Sequence, residues 1–238
     1  MKSVIRFPIF YKRDKGPPTP NFRKLSTMLR NNTPTKIPID RESIMLKHGG
    51  VGIKMNFACD ILEKLQHLSG EVKAWREGKV VYTKRKEFYD FIFNLDIFIF
   101  ELYSILDYFA LEIAEILKLR KKKKHRIEGI KYFMELKTAI GLDSEKNQKI
   151  VNVMELDWFE YFHKMRIRVV HRLPVSLKAL LYGETIEFPF LPDKPLEPKS
   201  ICQKKLIPLV ECEKWLEGVF NFIDDMCVDL GKELFDTF

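Results

Sequence analysis

A mainly α fold is what this 238-residue sequence predicts, on three observations. Apolar residues recur three or four positions apart over 54–76, at Met55, Ala58, Ile61, Leu62, Leu65, Leu68, Val72 and Trp75, the spacing that lines one face of a helix. The stretch 84–119 is apolar around most of a helical turn. The composition holds 46% apolar and 13% aromatic residues, 19 of them Phe, with only 11 Gly and 12 Pro. Such a chain builds a bulky helical core and is neither disordered, collagen-like nor of low complexity. Its length allows one good-sized core or two small ones.

Residues 1–50 read as an extended, basic, Pro-rich arm. Pro8, Pro17, Pro18, Pro20, Pro34 and Pro38 interrupt any continuous helix, and VIRFPIF and KIPI are candidate edge strands. Gly49, Gly50 and Gly52 then mark the boundary with a helical domain over 51–238. That domain opens with the helix of 54–76 and a turn near Gly78. On the long helix of about 84–119, Asp90, Asn94, Glu101, Ser104, Glu112 and Glu115 fall within one stripe of about 80°. A polar stripe so narrow belongs to the central member of a helical bundle. Asp96 and Asp107 sit off that stripe, on a shared face. The run RKKKKHR (120–126) reads as a loop or helix end, followed by weaker helices at 127–140 and 143–154 split by Gly141. Residues 156–172 form a strong helix with Phe159, Phe162, Arg166 and Val170 on one face, ended by Pro174. A Pro-rich, irregular or β insertion (175–210, with TIEFPF as a candidate strand) leads to an amphipathic C-terminal helix at 211–235.

The net charge of +8 is segregated. Residues 1–50 carry 11 basic against 3 acidic side chains, residues 118–137 carry 9 against 2, and residues 211–238 carry 2 against 8. Basic patches of this kind attract phosphate polymers or anionic surfaces, though solvated lysine-rich faces are also common. The acidic last helix is matched to dock on a basic patch of this chain or of a dimer mate. Cys59, Cys202, Cys212 and Cys227 show neither CxxC nor zinc spacing, so neither metal nor cofactor is expected. The most apolar stretch, 88–117, holds six carboxylates and cannot span a membrane. The N-terminus has no apolar run of signal-peptide length. A cytoplasmic protein with reduced thiols and no membrane partner is the expectation.

Phosphate-binding glycine loops, HExxH, GxSxG and paired-carboxylate motifs are all missing from the sequence. The segment that stands out is MRIRVVHR, 165–172. Arg166 lies on the apolar face of its helix and must meet a carboxylate, a carbonyl or a phosphate, because an unpaired buried charge is costly. Asp96 and Asp107 are the obvious candidates. Five residues on, His171 falls in the last helical turn, where it can exchange protons near neutral pH, while a guanidinium grips phosphate oxygens in pairs.

Arg166, four residues, then His171 resembles the Arg-x4–6-His signature of the HEPN superfamily (higher eukaryotes and prokaryotes nucleotide-binding domain). The run Met165-Arg166-Ile167-Arg168-Val169-Val170-His171 is similar to that family's motif helix. FELYSILDYFALEIAEIL (100–117) resembles its second long core helix, with Asp107 at the position of a supporting acid. The resemblance covers about 84–173. It implies a helical bundle that pairs as a homodimer, with a cleft in which two motif helices meet. It further implies metal-independent RNA cleavage, in which His171 moves a proton and Arg166 stabilises charge on the phosphorane. Lys121, Lys122, Lys123, Lys124, Arg168 and Arg172 would guide RNA there. On that reading the protein is a toxin or defence effector, with an antitoxin-type protein as a further partner. Residues five apart lie about 140° apart around a helix, so Arg166 and His171 converge only at a helix end or across a dimer axis.

Two departures keep a second reading open. Ile167 stands where active members usually carry a polar residue, and Leu173 excludes the subclass with a modified tyrosine there. The alternative is a non-catalytic HEPN-like module that binds RNA, nucleotide or a protein partner through its basic segments. Arg166 would then be a structural ion pair with Asp96 or Asp107, and His171 a helix C-terminal residue favoured by the dipole. His163, at the edge of the aromatic face, reads as packed or exposed rather than catalytic. His67 and His125 take no role.

Overall fold

The computed structural model describes residues 19–76, 85–123, 126–171 and 207–238. They form a mainly α protein with six α-helices: α1 (Pro20–Asn31), α2 (Arg41–Arg76), α3 (Arg85–Ile116), α4 (Ser144–Glu155), α5 (Asp157–His171) and α6 (Ile207–Leu234). One hairpin, β1 (Arg120–Lys123) and β2 (Arg126–Gly129), and a 3-10 helix (Phe133–Thr138) lie between α3 and α4. The chain divides into two compact units, each assembled from separate stretches. The first holds residues 1–56, 104–155 and 219–238, and the second 57–103 and 156–218. The turn near Gly78, the candidate strand TIEFPF, most of the 175–210 insertion and the VIRFPIF strand lie outside the described residues. No helix among the described residues is long and apolar enough to cross a membrane.

In the first unit, the expected extended arm is corrected from residue 19 onward. Pro20 is the first residue of α1, where its missing N–H is no loss and its fixed φ suits a helix. Phe22, Leu25 and Leu29 are buried along one face. Thr19 makes no side-chain cap. That role falls instead to Asp224 on α6, which accepts the N–H groups of Asn21 (2.8 Å) and Phe22 (3.0 Å) and the Asn21 side-chain amide (2.9 Å). A carboxylate there satisfies orphan donors and complements the helix dipole.

The boundary at Gly49–Gly52 is also corrected, because α2 runs straight through it. Asp40 starts this helix, accepting the N–H groups of Glu42 and Ser43. Gly50 lies under the Tyr108 ring, which stands 3.5 Å from where a Cβ would be. That close approach makes up for part of the poor helix propensity of glycine.

The polar stripe expected on α3 is not wet throughout, since Glu112 is wholly buried. Its Oε1 meets His48 Nδ1 at 2.7 Å. His48 Nε2 in turn faces Ser26 Oγ (2.8 Å) and the Phe22 carbonyl (3.1 Å), and its ring stacks on Phe22. This network ties α1, α2 and α3 together. Cys227 lies in the same interior. Burial first, then the nearby Glu112 and Asp224, pushes its thiol well above the usual cysteine range.

After Ile116 the chain reverses in a Schellman turn. Lys118 has φ +53°, its N–H donates to the Glu115 carbonyl, and the Leu119 N–H donates to that of Ala114. The basic run therefore leaves the helix and becomes β1, paired antiparallel with β2 so that Lys121 faces Glu128 and Lys122 faces Ile127. The helix expected over 127–140 is replaced by β2 and the 3-10 helix. The buried Ile130, Phe133 and Leu136 recur every three residues, the period of a 3-10 turn. Phe133 and Phe109 both meet Phe222 of α6 edge-on.

The acidic C-terminal helix docks on this same chain. Lys149 pairs with Asp229 (2.6 Å), Lys146 with Glu233 (3.0 Å) and Lys36 with Asp236 (3.7 Å).

Candidate functional site

The second unit carries the motif helix. On α5, Phe159, Phe162 and Met165 are buried three apart, so Met165 takes the place on the apolar face where the sequence pattern set Arg166. Phe162 packs against Trp215 of α6 at 5.4 Å between ring centroids. Trp158 presses so closely on Gly218 that an added Cβ would come within 2.5 Å of its ring. This apolar seam fixes the rotation of α5 and leaves His163 and Arg166, three residues apart, on its half-buried flank.

Both side chains meet one residue of α3. The Tyr103 hydroxyl lies 2.8 Å from His163 Nδ1, and the Arg166 guanidinium covers the Tyr103 ring at 4.8 Å from its centroid. Tyr103 is buried, and His163 stacks parallel to Phe159. Burial, followed by the charge of Arg166, holds the His163 imidazole below its ordinary value of 6.5. It is therefore neutral at pH 7 and available to accept a proton.

The carboxylate expected beside Arg166 is replaced by an aromatic face, a favourable seat for a guanidinium. Among the described residues no carboxylate pairs with it. Asp107 does other work within the first unit, accepting the Phe133 N–H at 2.8 Å and so starting the 3-10 helix. His171 is the last residue of α5. Its side chain, those of Lys123 and Arg168, and residues Lys124 and Arg172 lie outside the described residues.

In the hairpin, Lys121 is neutralised by Glu135 and by Glu128 at 3.9 Å. Burial alone would raise the Glu135 carboxyl. The bond from Lys121, with the N–H groups of Lys131 and Tyr132, outweighs it and holds the group below the usual glutamate value. Arg120, Lys122 and Arg126 are exposed, together with Ile127 at 71%. These residues, rather than Lys121, offer charge to an anion.

Sequence reasoning left out Tyr103 and set His163 aside. The available signal was the spacing of three between His163 and Arg166. It also left out His48, whose arrangement with Ser26 and Glu112 has the order of a serine–histidine–acid relay. Ser26 is 7% exposed and donates its hydroxyl hydrogen to the Phe22 carbonyl, so the relay serves the core. Among the described residues no group of histidine, cysteine and acidic side chains is placed to hold a metal. Comparison with family models, curated proteins and solved structures finds no match.

Proposed function

We propose that this chain is a HEPN-like, metal-independent endoribonuclease, a toxin or defence effector in which Arg166 and His171 of α5 act at a cleft between two copies. The observation that carries this reading is the state of Arg166. It stands on a half-buried flank, held over Tyr103 and unpaired by any carboxylate among the described residues, as a phosphate-binding guanidinium must be. The chemistry is attack of a ribose 2′-hydroxyl on the adjacent phosphorus, with the 5′-oxygen leaving. Arg166 stabilises the phosphorane, and His171 exchanges protons with the reacting oxygens. The test is labelled single-stranded RNA incubated in EDTA with wild type, Arg166→Ala and His171→Ala. Wild type is expected to leave cyclic-phosphate ends, with a loss of about 100-fold or more in each variant. Undiminished cleavage by His171→Ala overturns the assignment.

The hairpin favours a second reading, a non-catalytic module that binds RNA. Arg120, Lys122 and Arg126 are exposed on two short strands. Replacing all three by Gln is expected to flatten the salt dependence of RNA binding, each lost phosphate contact lowering the log–log slope by roughly 0.7 on single strands. An unchanged slope removes the hairpin from the interface.

A further inference from the structure

Arg166 and His171 diverge around α5, so one subunit cannot aim both at a single phosphate from the body of that helix. The imidazole that does share the flank of Arg166 is His163, three residues before it. Both touch Tyr103, one at the hydroxyl and one at the ring face. The Tyr103 oxygen lies 2.8 Å from His163 Nδ1 and fixes the ring; with the ring hydrogen on Nδ1 donated to that oxygen, Nε2 is the basic nitrogen. Among the described residues Nε2 makes no hydrogen bond.

We propose that Tyr103, His163 and Arg166 form a phosphodiester-binding site in which His163 Nε2 takes the proton of the ribose 2′-hydroxyl. The assignment rests on the ribonuclease reading and divides its two proton transfers between two histidines. Arg166 holds the non-bridging oxygens. The 2′-oxygen bonds to phosphorus as its proton passes to His163, and the bond from phosphorus to the 5′-oxygen breaks. That oxygen leaves with a proton from His171 of the second copy, which starts the cycle protonated. The products are a 2′,3′-cyclic phosphate and a 5′-hydroxyl. Tyr103 is a positioning residue, buried and holding both partners at once.

The charge acting on His163 is that of Arg166. α3 meets it with a neutral phenol, and the exposed Glu160–Lys164 pair of α5 is neutralised within itself. An anion arriving on Arg166 cancels the one cation among the described residues that disfavours imidazolium, so phosphodiester binding and His163 protonation are linked.

The experiment follows the His163 imidazole resonance by NMR against pH in the full chain, with and without a 2′-deoxy oligonucleotide that cannot be cleaved by this route. Without ligand, the midpoint is expected below 6.5. The oligonucleotide should raise it by roughly one unit. Arg166→Ala should raise it in the free protein and remove the response to ligand. A wild-type midpoint indifferent to the oligonucleotide overturns the site. RNA cleavage by His163→Gln, which keeps a hydrogen-bonding group toward Tyr103, is the second arm. A fall in kcat of about 100-fold with KM unchanged is expected, and an undiminished kcat overturns the proton-acceptor role. A midpoint that responds in a protein that cleaves no RNA leaves the phosphodiester site standing and removes the ribonuclease reading instead.

Discussion

Glu112 shows how much one buried group can hold. Its Oε1 pairs with His48, and its Oε2 is buried without a hydrogen bond among the described residues. Truncation to alanine leaves His48 facing an empty, dry space. Leaving one partner of a buried hydrogen bond unsatisfied costs about 1–3 kcal/mol, and Glu112→Ala is expected to lose at least that much in chemical denaturation. Glu112→Gln, which keeps the shape and a hydrogen-bonding oxygen, should lose distinctly less. Equal losses would show that the carboxylate itself, not the volume it fills, sets the cost. Neither residue was legible as a pair, because 64 positions separate them and a helical wheel puts Glu112 among wet neighbours. Its neighbours are His48 of α2 and Cys227 of α6, both far from it in sequence.

The elements were legible where periodicity was strong and illegible where one residue type served two purposes. α5 follows from its apolar repeat to within one residue at each end, whereas α6 begins four residues before its repeat does. α1 did not, because Pro20 was taken as a breaker, although proline at a first helical position is a starter. The hairpin was invisible because lysines carry no alternation of apolar and polar. The glycines make the same point in energetic terms. A Cβ at Gly49 would have nothing within 4 Å, so glycine there is only a weak link in α2. Gly49→Ala is expected to stabilise the protein by about 0.5–1 kcal/mol. Gly218 lies against the Trp158 ring, and Gly218→Ala should destabilise by roughly 1–3 kcal/mol through overpacking. Paired melting curves that moved in the same direction would contradict this contrast. The candidate site divides similarly. The motif helix and Arg166 were readable, whereas Tyr103 came from another helix 60 residues away from His163.

Neither compact unit of the whole molecule is a contiguous piece of chain. Three long helices, α2, α3 and α6, each contribute residues to both, so no single cut releases one unit intact. The acidic charge of the C-terminal end is partly matched within the first unit, where Asp229 and Glu233 of α6 and Asp236, two residues beyond it, meet Lys149, Lys146 and Lys36. Each such surface pair is worth less than about 1 kcal/mol. These pairs leave the net charge of +8 unchanged, because it already counts both signs.

The cap on α1 also sets a timetable. Asp224 stands 203 positions after Asn21, and a ribosome adding roughly 5–20 residues per second needs about 10–40 s to reach it. Throughout that interval α1 has neither its anion nor its α6 neighbour, and Phe22, Leu25 and Leu29 have no finished core to enter. A chain stalled on the ribosome at residue 206 is expected to exchange its α1 amide hydrogens as fast as a free peptide, while a released chain protects them. Birth order and anchoring order run in opposite directions, so α1 depends on chaperones until the residue that anchors it has been made.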